Sequence, residues 1–150
     1  MNACPVDNVV TGSDYDFLIA NLCNYLEGKT TLEGGIYYRE NGVIKNTESF
    51  NLQHNQNTLP LIDRDLVKRE LYAYKNGNFR RTPSTYNMAG RDCWHGKCTF
   101  YSWTTLYPEW CICTPEVLLD EVGHLINSYG VVEIMDDNGS FPTGQWLRRY

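Results

Sequence analysis

A helix with both ends marked in the sequence constrains the fold more than any other feature. Thr114 is a good N-cap, Pro115 suits the first helical position, and Glu116 lies in the positive first turn. Gly130 can supply the left-handed residue with which many helices end. One apolar stripe recurs at helical spacing between these ends: Leu118, Val122, Leu125, Ile126 and Tyr129. The pattern predicts one amphipathic helix over residues 115–129.

Strand patterns flank this helix on both sides. Residues 84–88 form an extended, β-rich segment, and the apolar run at 131–135 follows the helix directly. Strand, helix and strand in this order predict a βαβ unit with a right-handed crossover and a parallel strand pair. Because two parallel strands cannot enclose a core alone, we expect residues 84–150 to be the start of a larger α/β domain.

The segment of residues 1–30 also has a strand followed by a helix. Residues 7–12 are typical of a short buried strand that ends in a turn. Ser13 is the predicted N-cap of the helix, and Gly28 is its predicted stop. A strand that feeds a helix is half of a βαβ unit, so this segment is interpreted as the end of a separate α/β domain.

Residues 31–83 are predicted to be a hairpin and a linker. Asn41-Gly42 separates two short β-rich runs, and this dipeptide favours the two-residue hairpin turn in which both positions have positive φ. Residues 47–83 are polar, with one short helix expected at 65–72. The predicted organisation is therefore α/β, divided at 1–30, 31–83 and 84–150.

Charge and composition exclude some functions. The net charge is −5, which provides no basic field for nucleic acid. No apolar run has the length of a membrane span, and residues 1–7 lack the features of a signal peptide. A cytoplasmic, reducing location is expected, where clustered cysteines are more often metal ligands than disulfides.

The loop between the predicted strand and helix carries the chemistry. Residues 89–113 hold four of the six cysteines and three of the four tryptophans. Loops of this length are usually functional or disordered, and this composition argues against disorder. Three interpretations stay open: a thiolate site for iron–sulfur or zinc at Cys93 and Cys98, a four-cysteine zinc site that adds Cys111 and Cys113, and unligated thiols. His54 and His124 show no sign of a partner in the sequence.

The run from Gly90 to Phe100 resembles the cluster-binding loop of radical SAM enzymes that contain a cobalamin-binding domain. That loop reads cysteine, three or four residues, cysteine, two residues, cysteine, with an aromatic residue before the third cysteine; Cys93, Cys98 and Phe100 match it. Residues 7–12 with their helix resemble the last strand and helix of the family's Rossmann-like (flavodoxin-like) cobalamin domain. Residues 129–138 resemble the second strand of its partial TIM-like barrel.

The resemblance implies a chemistry and a set of residues. Members hold a 4Fe–4S cluster that cleaves S-adenosylmethionine to a 5′-deoxyadenosyl radical, with an electron donor and a small-molecule substrate. Some use cobalamin for methyl transfer, so cobalamin is implied for the parent protein. The resemblance implies Cys93 and Cys98 as cluster ligands and Phe100 near the adenine. It also implies that Asp136, Asp137 and Asn138 contact the methionine amine.

The chain departs from the family at the third ligand position, where Tyr101 replaces cysteine. Two thiolates are too few for a stable cluster of this type. We therefore expect the chain alone to be inactive toward S-adenosylmethionine. The alternatives are a small zinc- or thiol-binding module that uses Cys93, Cys98, Cys111 and Cys113, and a metal-free remnant.

Overall fold

A computed structural model of the chain describes every residue except 2–3, 13, 92, 103–108 and 150. The fold is mixed α/β, with one parallel strand pair and two antiparallel sheets. The strands are β1 (Asn8–Val10), β2 (Ile36–Glu40), β3 (Val43–Asn46), β4 (Ser84–Asn87), β5 (Gly90–Arg91), β6 (Cys111–Ile112) and β7 (Glu133–Asp136). The α-helices are α1 (Tyr15–Leu26), α2 (Arg69–Ala73), α3 (Pro115–Tyr129) and α4 (Gln145–Arg149).

The chain divides into two compact units. The described residues of Met1–His54 form the first, and those from Asn55 onward form the second. The segment expected to link two domains is therefore split. Its hairpin belongs to the first unit, whereas Asn55 to Pro83 belong to the second.

The first unit is a three-stranded antiparallel meander with one helix. The hairpin of β2 and β3 turns at Asn41 and Gly42, whose φ angles are 51° and 78°, as the dipeptide predicts. β1 adds to this hairpin antiparallel, with Val9 opposite Tyr37. Leu18 of α1 and Ile36 of β2 are fully buried and form the centre of the unit.

The pairing of β1 gives no support to the interpretation of residues 1–30 as the end of a Rossmann-like cobalamin domain, which stays a prediction. β1 pairs antiparallel with β2 and not with a parallel strand. The physical reason is that a two-stranded hairpin is marginal in water and gains stability from a third strand. Among the described residues the strands form three separate sheets and no closed barrel.

The second unit contains the predicted βαβ arrangement. β4 and β7 are parallel, with Ser84 opposite Glu133 and Asn87 opposite Asp136. α3 has the predicted bounds: the Thr114 hydroxyl accepts the Val117 N–H, and Gly130 ends the helix with φ 63°. The following strand begins two residues later than predicted. The expected helix at 65–72 is a 3₁₀ turn at Arg64–Leu66 followed by α2.

Arg64 links the polar segment of residues 55–83 to the βαβ unit through hydrogen bonds. Its guanidinium donates to the Thr85 hydroxyl at 3.0 Å, to the Tyr86 carbonyl at 3.0 Å and to the Glu121 carboxylate at 3.1 Å. The Tyr129 hydroxyl accepts the Arg64 backbone N–H at 3.1 Å. One side chain thus joins the start of this segment to β4 and α3, which is why residues 55–83 are not a free linker.

His54 joins three parts of the first unit. Its Nδ1 lies 2.9 Å from the Asp14 carboxylate, at the start of α1, and its Nε2 lies 2.9 Å from the Glu33 carboxylate. The ring also stacks on Phe17, with centroids 4.6 Å apart. Burial lowers the pKa of His54, but its hydrogen bonds to Asp14 and Glu33 outweigh that effect, so the pKa is raised above its ordinary value.

We predict that His54 makes the stability of the chain fall as pH rises. Because its pKa is higher in the folded than in the unfolded chain, protonation stabilises the fold. That contribution is complete below about pH 6.5 and is lost as pH rises through the raised pKa. Urea unfolding from pH 6 to 9 is expected to show this loss. His54→Gln should remove it and cost about 1–3 kcal/mol at pH 6.

His124→Gln is the matched control. The His124 Nδ1 lies 3.0 Å from the uncharged Ser128 hydroxyl, and its ring packs edge to face with Tyr129. This variant should keep the pH dependence of the parent. An unchanged slope in His54→Gln would contradict the assignment.

Candidate functional site

The cysteine loop is closed at its base by a short antiparallel ladder. β5 pairs with β6, so that Gly90 lies opposite Ile112 and Arg91 opposite Cys111. The Cys113 N–H also donates to the Ala89 carbonyl at 2.8 Å. The ladder defines the loop as residues 92–110 and brings Cys111 close to the residues that precede Cys93. The sequence prediction treated residues 89–113 as one irregular loop and missed these two strands.

Gly90 is required at this base because the two backbones are in close contact. A Cβ on Gly90 would lie 2.7 Å from the Ile112 Cα and closer still to the Cys111 carbonyl oxygen. Cβ atoms do not approach backbone so closely, and the neighbours here are backbone that cannot move aside. The glycine before the loop is therefore a packing requirement of the ladder.

The polar end of β7 holds the root of the loop. Asp136 accepts the Ala89 N–H at 2.9 Å through Oδ2 and the Asn138 N–H at 3.0 Å through Oδ1. Asn138 accepts the Gly90 N–H at 3.0 Å through its side-chain oxygen. The carboxyl end of β7 and the start of the cysteine loop are thus one structure, as expected for neighbouring parallel strands.

These bonds give the strand end a structural role. Both Asp136 oxygens accept backbone N–H groups, so Asp136 positions the loop. The Asp137 side chain is exposed, and its backbone N–H donates to the Asn87 carbonyl at 2.9 Å. The Asn138 Nδ2 is buried, and it has no hydrogen-bond partner among the described residues. Such an amide donor suits a carboxylate. The amine contact that the resemblance implies for Asp136, Asp137 and Asn138 stays a prediction.

Cys93 and Cys98 are both half-buried. The Cys93 Sγ lies 2.9 Å from the Ser140 hydroxyl, which follows the polar end of β7. Cys93 therefore contacts the segment that directly follows Asp136 and Asn138. Sequence reasoning missed Ser140, although its position two residues after Asn138 places it on the same turn.

The described aromatic residues of the loop reach the surface of the chain to different degrees. The exposed fraction is 89% for Phe100, 66% for Trp94 and 38% for Tyr101. The Phe100 and Tyr101 rings lie 6.5 Å apart. Phe100, expected near the adenine of S-adenosylmethionine, therefore lies on the surface of the chain.

Cys111 and Cys113 lie at the base of the loop, in and just after β6. Cys113 is buried in the core of the second unit, with Ala89 and Leu118. Burial raises the pKa of the Cys113 thiol, and the nearby Asp136 carboxylate raises it further, so the metal-binding thiolate is disfavoured. In the part of the chain that the structure describes, no three His, Cys, Asp or Glu side chains are arranged to hold a metal ion.

We predict that Gly90→Ala destabilises the chain by more than 2 kcal/mol, because the added methyl group overlaps the β6 backbone. Gly123→Ala is the matched control, since nothing lies within 4 Å of a Cβ at that position in α3. The control should stabilise by about 0.5–1 kcal/mol. Urea unfolding measures both, and equal effects would contradict the close contact.

A substitution of Asp136 should destabilise the carboxyl end of β7. Asp136→Asn replaces one acceptor by an amide donor that faces a backbone N–H, which should cost about 1–3 kcal/mol. Asp137→Asn alters an exposed side chain and should change stability by less than about 0.5 kcal/mol. Hydrogen exchange at Ala89 and Asn138 should quicken in Asp136→Asn. Unchanged exchange there would show that these bonds do not fix the loop.

No helix among the described residues is long and apolar enough to cross a membrane. Comparisons with protein-family profiles, with curated proteins and with solved structures returned no match to this chain.

Proposed function

We propose that residues 84–138 are the first strand–loop–helix–strand unit of a radical SAM scaffold whose cluster loop is disabled at Tyr101. In this proposal β4 and β7 are the first two strands of the barrel, and the loop between β4 and α3 is the former cluster loop. The chain itself does not cleave S-adenosylmethionine. The family's substrate, electron donor and cobalamin belong to the parent protein alone.

The supporting observation is the connection between the strand end and the loop. Ala89 and Gly90, which begin the loop, donate their N–H groups to Asp136 and Asn138 at the end of the neighbouring parallel strand. Cys93 contacts Ser140 on the same side. A cysteine loop held against the polar end of the next strand is the arrangement that the resemblance implies. The buried Asn138 Nδ2 would be the donor for an amino-acid carboxylate.

The residues present do not fit a 4Fe–4S cluster. Three thiolates are needed at one centre, whereas the loop supplies Cys93 and Cys98, with Tyr101 at the third position. The described residues contain no group of three suitable ligands. No chemical step through a cluster is therefore assigned to this chain. The cobalamin-domain part of the resemblance lacks support from the antiparallel β1, so the proposal is confined to residues 84–138.

The rival is a zinc or thiol module. Zinc needs deprotonated thiols, and burial of Cys113 works against that state. Cys111 and Cys113 also lie on either side of one residue, a spacing shorter than structural zinc sites use. A metal-free remnant agrees with the main proposal. In that case the radical SAM scaffold persists, and the chain binds no metal after the loss of the cluster.

The test restores the third thiolate. The parent chain, Tyr101→Cys and Ser102→Cys are each reconstituted anaerobically with iron and sulfide. We expect Tyr101→Cys to gain a visible chromophore and about four irons per chain, because its three thiols then have the family's spacing. Ser102→Cys is the matched control, since it adds the same number of thiols out of register.

Each other result decides against the proposal. Equal iron in Tyr101→Cys and Ser102→Cys would show that the number of thiols alone governs uptake. No iron in any variant would remove the radical SAM interpretation. Stoichiometric zinc in the parent chain, lost on Cys93→Ser, would favour the zinc module.

A further inference from the structure

A cavity of about 230 Å³ lies beside α2 in the second unit. It is distinct from the cysteine loop, and its walls combine two arginines with aromatic side chains. The lining residues that could contact a ligand include Arg64, Arg69, Tyr72, Asn76, Phe79 and Tyr86. The volume lies below the range of about 300–1,000 Å³ typical of drug-sized ligands, so an occupant would be small.

The charge of Arg64 is already compensated. Its guanidinium pairs with Glu121 at 3.1 Å, and both side chains are about 85% buried, since 15% and 14% of their side-chain areas are exposed. Its two Nη atoms also donate to Thr85 and Tyr86. Arg64 therefore fixes the wall of the cavity and offers little to a ligand.

Arg69 differs from Arg64 in having no anionic partner among the described residues. Its guanidinium carbon lies 4.8 Å from the centre of the Tyr129 ring, and its Nη1 donates a long hydrogen bond of 3.5 Å to the Tyr129 carbonyl. Its Nε is buried, with no acceptor in the part of the chain that the structure describes. Among the described residues no carboxylate lies within 4.0 Å of its nitrogens. The half-buried guanidinium of Arg69 therefore keeps its charge and its planar donors available to an anionic ligand.

The remaining walls suit a flat apolar group. Phe79 and Tyr86 pack edge to face with centroids 4.9 Å apart, and Tyr72 lines the same space. The Tyr86 hydroxyl accepts from Asn76 at 3.4 Å and from Asn78 at 2.6 Å, which leaves its O–H to donate. Among its described walls, the cavity therefore combines the charge of Arg69, the hydroxyl donor of Tyr86 and aromatic sides.

We propose that this cavity binds a small aromatic monocarboxylate, with the carboxylate on Arg69 and the ring against Phe79 and Tyr72. One uncompensated guanidinium matches one negative charge, and a planar carboxylate fits its paired donors. Aromatic rings favour edge-to-face and offset contacts with a flat ligand. This proposal is independent of the radical SAM proposal, because it uses no residue of the cysteine loop.

Benzoate is the probe, and isothermal titration of the full chain at low salt is the measurement. We expect binding to the parent chain and at least a tenfold loss in Arg69→Gln, corresponding to about 1.4 kcal/mol. Arg69→Lys should retain part of the affinity, because it keeps the charge without the planar fork. Arg80→Gln is the matched control, since Arg80 is exposed in the same unit and does not line the cavity.

Benzamide separates charge from shape. It has the same ring without the negative charge, so the parent chain should bind it at least tenfold more weakly than benzoate. The proposal is overturned if benzoate does not bind, if Arg69→Gln binds it like the parent, or if benzamide binds equally well. Should Arg69→Gln fail to fold by circular dichroism, Arg69→Lys and benzamide still decide the question.

Discussion

The second unit depends on the two hydrogen bonds that the Asp136 carboxylate accepts from the backbone. This carboxylate lies where a parallel strand ends, and it receives the N–H of Ala89 as well as that of Asn138 in its own turn. Backbone N–H groups at such a place need acceptors, because burial without a partner is costly. With this carboxylate in place, the chain can leave β4, form the β5–β6 ladder and return to α3 at a fixed position.

Polar contacts carry much of the organisation because the apolar core is small. The cluster at the base of α3 consists of Ala89, Cys113 and Leu118, with Val117, Val122 and Trp146 packed against it. Hydrogen-bonded networks in such a setting fix one arrangement where apolar burial alone would allow several. The contacts of Arg64 serve this purpose on one face, and the Trp146 N–H, which donates to the Cys113 carbonyl at 2.8 Å, does so on another.

The sequence predicted those elements whose signals are local. The caps at Thr114 and Gly130 specify both ends of α3, and Asn41-Gly42 specifies the hairpin turn. It could not predict partners that are distant along the chain. The antiparallel pairing of β1, the two-residue strands β5 and β6, and the carboxylates around His54 depend on tertiary contacts. Within the site, the sequence indicated that the polar end of the second parallel strand and the cysteine loop belong together. The role of each residue follows from the hydrogen bonds that its atoms already make, such as those of Asp136 with the backbone.

The pairing pattern has a consequence for the order of folding. β2 and β3 are joined by a two-residue turn, so their pairing needs little loop-closure entropy, whereas β1 pairs with β2 across the segment that contains α1. β4 and β7 are separated by the whole cysteine loop and α3, and their alignment must await closure of that long segment. The hairpin of β2 and β3 is thus expected to form early, and the parallel pair of β4 and β7 is expected to form late.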